Sequence, residues 1–118
     1  MHRESVIEYC AARPGAIETY PFGEGAMVFK VAGRMFALVA LEGEPGSVSL
    51  KCPPELAVAL RSTYPAVRAG YHLNKRHWNT VELDGSVPSD VLSEMVGQSY
   101  DLVVASLPRK ARDSLNLS

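Results

Sequence analysis

Residues 26–52 read AMVFKVAGRMFALVALEGEPGSVSLKC, and this stretch decides the fold. Gly33-Arg34 and the run Glu42-Gly43-Glu44-Pro45-Gly46 divide it into three strand-length pieces, AMVFKV, MFALVAL and SVSLKC. β-Branched and aromatic residues between Gly- and Pro-bearing breaks predict strands joined by tight turns. The middle piece is apolar at nearly every position, as expected of a central strand covered on both faces. The third alternates, with Val48, Leu50 and Cys52 on one side and Ser47, Ser49 and Lys51 on the other, so it predicts a half-exposed strand. Such short links pair consecutive strands antiparallel.

Helical patterns flank this core. Upstream, Val6, Ile7 and Cys10 recur at helical spacing until Arg13-Pro14-Gly15 stops them. Downstream, Pro53-Pro54-Glu55 opens a second helix with Leu56, Leu60 and Tyr64 as its apolar face, ended by Tyr64-Pro65. A polar, aromatic stretch follows from Arg68 to His77, with an extended piece at Tyr71-His72-Leu73. A strand from Trp78 to Leu83 then turns at Asp84-Gly85. The third helix begins near Pro88-Ser89-Asp90, where Ser or Asp can cap it, and its apolar stripe carries it to about Leu107. The tail from about residue 108 reads as frayed. The expected order is α-β-β-β-α-β-β-α, an α+β two-layer sandwich whose antiparallel sheet has about five strands and helices mainly on one face. No repeat or linker interrupts it, so residues 1–118 form one domain.

Composition limits the function. The chain has 118 residues, 47% hydrophobic and 21% charged, with a formal net charge of -1. That excludes a uniformly basic nucleic-acid coat and an acidic solvating tail. Cys10 and Cys52 belong to no disulfide framework and read as buried free thiols of a reducing compartment. No apolar run approaches the ~20 residues of a membrane span. A cytoplasmic protein without membrane contact is the expectation.

Chemical motifs are sparse. Gly23-Glu24-Gly25 lacks the third glycine of a dinucleotide fingerprint and leads into a strand, so no cofactor is expected. His72 and His77 match no metal spacing, and Lys75 and Arg76 between them would repel a cation. The serines sit in no nucleophile elbow, Glu82 and Asp84 more simply solvate a strand end, and the reading is non-catalytic. One segment differs. Residues 61–80 hold four of the twelve basic residues (Arg61, Arg68, Lys75 and Arg76) and none of the thirteen acidic ones. Tyr64, Tyr71, His72, His77 and Trp78 are interleaved with them. Cations pair phosphates, aromatic rings stack on bases, and Asn74 and Asn79 add amides for base edges or phosphates. Arg109, Lys110 and Arg112 would extend this surface if the last helix ended nearby. Composition alone favours the plainer alternative, in which Tyr71 and Trp78 anchor the loop amid solvated cations.

Four blocks carry a wider resemblance: Tyr20-Pro21-Phe22-Gly23, Lys51-Cys52-Pro53-Pro54-Glu55, GYHLNKRHWNTV at residues 70–81, and Ser99-Tyr100-Asp101-Leu102-Val103-Val104. From about Tyr20 to Leu107 the chain resembles the MmcQ/YjbR family. The resemblance implies a YjbR-like α+β domain, grouped with CyaY-like folds. It also implies DNA binding through basic, wing-like loops, and it carries over no catalytic residue. DNA binding by Arg68, Tyr71, His72, Asn74, Lys75, Arg76, His77, Trp78 and Asn79 is therefore the leading expectation. Four to six neutralised phosphates would give a log K against log salt slope of roughly -4 to -5. The imidazoles of His72 or His77 would make such binding pH-sensitive. The alternatives are a protein or peptide adaptor using a sheet face or edge, and a small-molecule site around Tyr71, His72, Asn74, His77 and Asn79.

Overall fold

The computed structural model describes residues 1–115. In chain order the elements are α1 (Arg3–Ala11), β1 (Ala16–Thr19), β2 (Ala26–Val31), β3 (Arg34–Ala40), β4 (Ser47–Lys51), α2 (Pro54–Thr63), β5 (Val67–Ala69), β6 (Trp78–Glu82), α3 (Ser89–Ala105) and α4 (Arg109–Ser114). All strands pair antiparallel in one sheet ordered β1-β2-β3-β4-β6-β5. The α+β class and the antiparallel sheet are as expected; the strand count is six rather than five. The additional strand is β1, a four-residue edge strand directly after the Pro14-Gly15 turn. The extended piece expected at Tyr71–Leu73 is loop, and the strand lies upstream at Val67–Ala69.

The hydrophobic side of the sheet follows the register. Val39, Val48, Val81 and Val67 stand in one row across β3, β4, β6 and β5. All four are buried in a core shared with Val6, Leu92, Met95, Val96 and Val103 of the helices. Strand alternation allows only every second residue to face this side, yet Phe36 and Ala37 are both fully buried. A β-bulge explains it: pairing passes from Phe29↔Ala37 to Lys30↔Met35 and leaves Phe36 unpaired. Phe36 then packs edge-on against Tyr100 of α3, with ring centroids 5.3 Å apart. Ser99 closes the gap, donating to the Phe36 carbonyl at 2.6 Å and accepting from the Lys51 amide at 2.8 Å.

The helices depart from expectation in detail. On α2 the fully buried residue is Ala57, while Leu56 is 37% exposed. A small residue at the contact brings α2 close enough to β6 for the Ala57 carbonyl to accept from the Asn79 amide at 3.2 Å. Helix α3 ends at Ala105 rather than Leu107. Arg34 donates to the Ser106 carbonyl at 2.7 Å, satisfying a terminal acceptor there. Its N-cap is Pro88, with no side-chain cap. Of the tail expected to fray, Arg109–Ser114 is helical and Leu115 packs against the core, and residues 116–118 lie outside the described residues.

Candidate functional site

Alternation places Val28, Leu38, Ser49 and Thr80 on the side of the sheet away from the helical layer. Leu38 and Met35 on this side are only partly buried. The apolar middle strand is thus not sandwiched between two helical layers. The polar pair Ser49 and Thr80 is nonetheless buried, bonded hydroxyl to hydroxyl at 2.8 Å. Thr80 also accepts from the Tyr71 amide at 3.0 Å, which binds the following loop down onto this face. At Gly70 a β-carbon would lie 2.8 Å from the Trp78 Cβ, so only glycine lets the loop leave β5 so close to β6.

Most of the basic cluster is committed to holding this loop. The Arg61 guanidinium donates to the Asn79 Oδ1 at 2.9 Å and to the Lys75 carbonyl at 3.2 Å. The Lys75 ammonium folds back onto the Gly70 carbonyl at 3.1 Å. Arg68 pairs with Glu82 at 3.2 Å. Asn74 closes a turn by accepting from the Arg76 amide at 3.0 Å. His77 is half-buried, and its carbonyl accepts from the Cys52 amide at 2.8 Å. Asn79 is wholly buried, with both ends of its carboxamide bonded within the protein, so it offers nothing to a ligand. Trp78 is half-buried opposite Lys51. Arg76 is exposed, with no side-chain hydrogen bond or ion pair among the described residues. The tail cations do not join this surface. Leu115, at the end of α4, sits beside Gly15 and Val31 at the β1 edge of the sheet. Strands spaced about 4.8 Å apart put that edge roughly 20 Å from β6.

Two aromatic residues stand out instead. Tyr71 is 65% exposed and Phe22 is 68% exposed. With Ala26, Leu38, His72 and Leu73 they line an apolar cleft of about 310 Å³ on the open face. The His72 ring lies against Tyr71 with centroids 4.0 Å apart, and its φ of 60° is the left-handed conformation that side chains disfavour. Phe22, Ala26 and Leu38 were not candidates from the sequence. The one local signal was a large apolar residue held between Pro21 and Gly23 in a turn.

The described lining of the cleft holds no serine, threonine or cysteine. Burial pushes the Cys52 thiol above its ordinary range, against a smaller opposing pull from Arg61. Among the described residues no group of three or more His, Cys, Asp or Glu side chains is placed to hold a metal. No helix of the described residues is long and apolar enough to cross a membrane.

A six-stranded antiparallel sheet, helices on one face and a cleft on the other define an open-faced two-layer α+β domain. The chain belongs to the YjbR family, whose family model matches residues 11–102. It is 42% identical over 111 residues to uncharacterized protein YjbR of Escherichia coli K12, covering 93% of each chain. It is 34% identical over 92 residues to uncharacterized protein YbdF of Escherichia coli O157:H7, covering 77% of this chain and 75% of that one. Among solved structures, a Deinococcus radiodurans protein superposes with a TM-score of 0.91 at 39% identity, covering 98% of this chain and 88% of that one. A Pseudomonas syringae protein gives a TM-score of 0.75 at 26% identity over 86% of this chain and 98% of that one.

Proposed function

We propose that this chain is a non-catalytic binding module whose ligand places an apolar group in the cleft between residues 20–25 and the 70–77 loop. The observation that carries the reading is the exposure of Phe22 and Tyr71 on either side of the apolar floor at Leu38 and Ala26. Covering about 100 Å² of ring surface would contribute roughly 2.5 kcal/mol before the costs of association. The left-handed His72 supports the same reading, because a side chain is kept where glycine would be unstrained. N-acetyl-tryptophanamide is a neutral probe for the site. Its titration should shift the amides of Leu38, Tyr71 and Leu73, and a Phe22→Ala/Tyr71→Ala variant should lose the response. Shifts confined to residues away from the cleft, or an unchanged variant, refute the proposal.

DNA binding is a second proposal, supported by Arg76 together with the half-buried Trp78 and the neighbouring Lys51. Rings beside unpaired cations suit stacking of single-stranded bases. Two or three phosphate contacts predict a salt slope of only about -1.5 to -2. A labelled single strand and its duplex, titrated across a salt series with an Arg76→Ala variant, test this. Absence of micromolar binding at low salt rejects it. Residence in the cytoplasm is likewise proposed, on the two buried free thiols.

A further inference from the structure

We infer that the occupant of the cleft is an extended protein segment in which an apolar side chain is closely followed by basic ones. The inference rests on the cleft reading above and adds the partner's charge. The cleft does not end at Tyr71. On the other side of that ring lies a second hollow of about 290 Å³, whose charged lining is Glu42, Glu44, Glu82 and Arg68. Two of these carboxylates are already matched, Glu44 by Arg3 at 3.6 Å and Glu82 by Arg68 at 3.2 Å. Glu42 has no ion pair among the described residues. Its carboxylate leans over Gly25, where a β-carbon would lie 3.2 Å from it. Gly25 directly precedes Ala26 of the cleft floor, so the unmatched charge stands where the apolar and acidic hollows meet.

This arrangement selects among ligands. A purely apolar group would leave Glu42 without a partner and partly stripped of water. An anionic one would bring like charge against an acidic rim, with Glu24 exposed in the adjoining turn. A cation set beside an apolar group satisfies both hollows. The hollows are open-sided and adjoin across one ring, so they suit successive side chains of a strand rather than an enclosed small molecule. Residues i and i+2 of an extended segment face the same way about 6.8 Å apart, the reach needed to pass from one hollow to its neighbour. Lys30 and Lys51 lie toward the opposite ends of β2 and β4, so the acidic rim is not cancelled by the cations of the same face.

Three fluorescein-labelled peptides test the inference on the full chain: Gly-Trp-Gly-Lys-Gly-Lys and its counterparts with Gln or Glu in place of Lys. At 50 mM salt the Lys peptide should bind about tenfold more tightly than the Glu peptide, and at 0.5 M salt the two should converge. Glu42→Gln should shrink the difference to about threefold, and Tyr71→Ala should weaken all three. Equal affinity for the three peptides, still dependent on Tyr71, overturns the charge preference and leaves the cleft reading intact. No binding, or binding that ignores Tyr71, overturns both. Displacement by oligothymidine but not by excess Lys peptide assigns the face to nucleic acid and overturns the inference.

Discussion

Replacing Asn79 with alanine is expected to cost about 2–3 kcal/mol of stability without altering any exposed surface. The carboxamide is fully buried, accepts from Arg61 at 2.9 Å and donates to the Ala57 carbonyl at 3.2 Å. The neutral bond contributes about 1 kcal/mol and the charge-assisted one about 1.5–2 kcal/mol. The total stays at the low end because Arg61 is only partly buried and water can reach its guanidinium once the partner is gone. For a domain of this size the loss corresponds to a fall of roughly 10 °C in Tm. Urea unfolding followed by far-UV circular dichroism should show a lower midpoint with an unchanged slope. A double-mutant cycle with Arg61→Met should return a coupling of about 1.5 kcal/mol. A loss below about 1 kcal/mol, or an additive cycle, would refute the reasoning. A direct contact from Asn79 to DNA predicts the reverse pattern, with stability unchanged and DNA affinity reduced.

Three further outcomes follow from the same geometry. Ser99→Ala removes the hydroxyl shared by the Phe36 carbonyl and the Lys51 amide and should cost about 2 kcal/mol in urea unfolding, with the fold retained. His72→Gly relieves a left-handed φ of 60° and should raise stability by up to about 1 kcal/mol while weakening N-acetyl-tryptophanamide binding; a drop in stability would show that the ring braces the loop. Burial pushes the Cys10 thiol up to about 12 in the fold, against an ordinary value of 9.0, with Arg13 opposing weakly. The unfolded chain therefore releases this proton first, and the contribution of the neutral thiol is complete below pH 9 and lost as pH rises toward 12. Urea midpoints between pH 8 and 11 should fall less steeply in Cys10→Ala than in the parent chain, and parallel slopes would remove the assignment.

The reach of local pattern is visible in particular elements. Alternation in SVSLKC and the turn at Gly33 were enough to place β2, β3 and β4 in an antiparallel sheet, because a period of two is written residue by residue. Pro54 and the Leu92-to-Val103 stripe likewise marked two helices. β1 was not legible: AIET is short, lies on an edge and keeps Ile17 63% exposed, so it carries little alternation. On α2 the expected face holds at Leu60 and Tyr64, which pack against the core, while Leu56 is 37% exposed and the fully buried contact is Ala57, whose smallness carries no hydrophobic signal.

For the site, the sequence by itself determined that residues 61–80 are unusual in charge and aromatic content, and that no catalytic motif accompanies them. Only the tertiary structure decided which of those groups are free. Arg61 meets Asn79 across eighteen positions, Arg68 meets Glu82, and Lys75 turns back to its own loop. A cation reads the same in sequence whether it faces solvent or a carbonyl, because its partner is set by strand register and helix placement. The cleft is hidden for the same reason. Phe22, Leu38 and Tyr71 share no local period, and they meet only because β2, β3 and the loop after β5 are folded onto one side of a single sheet.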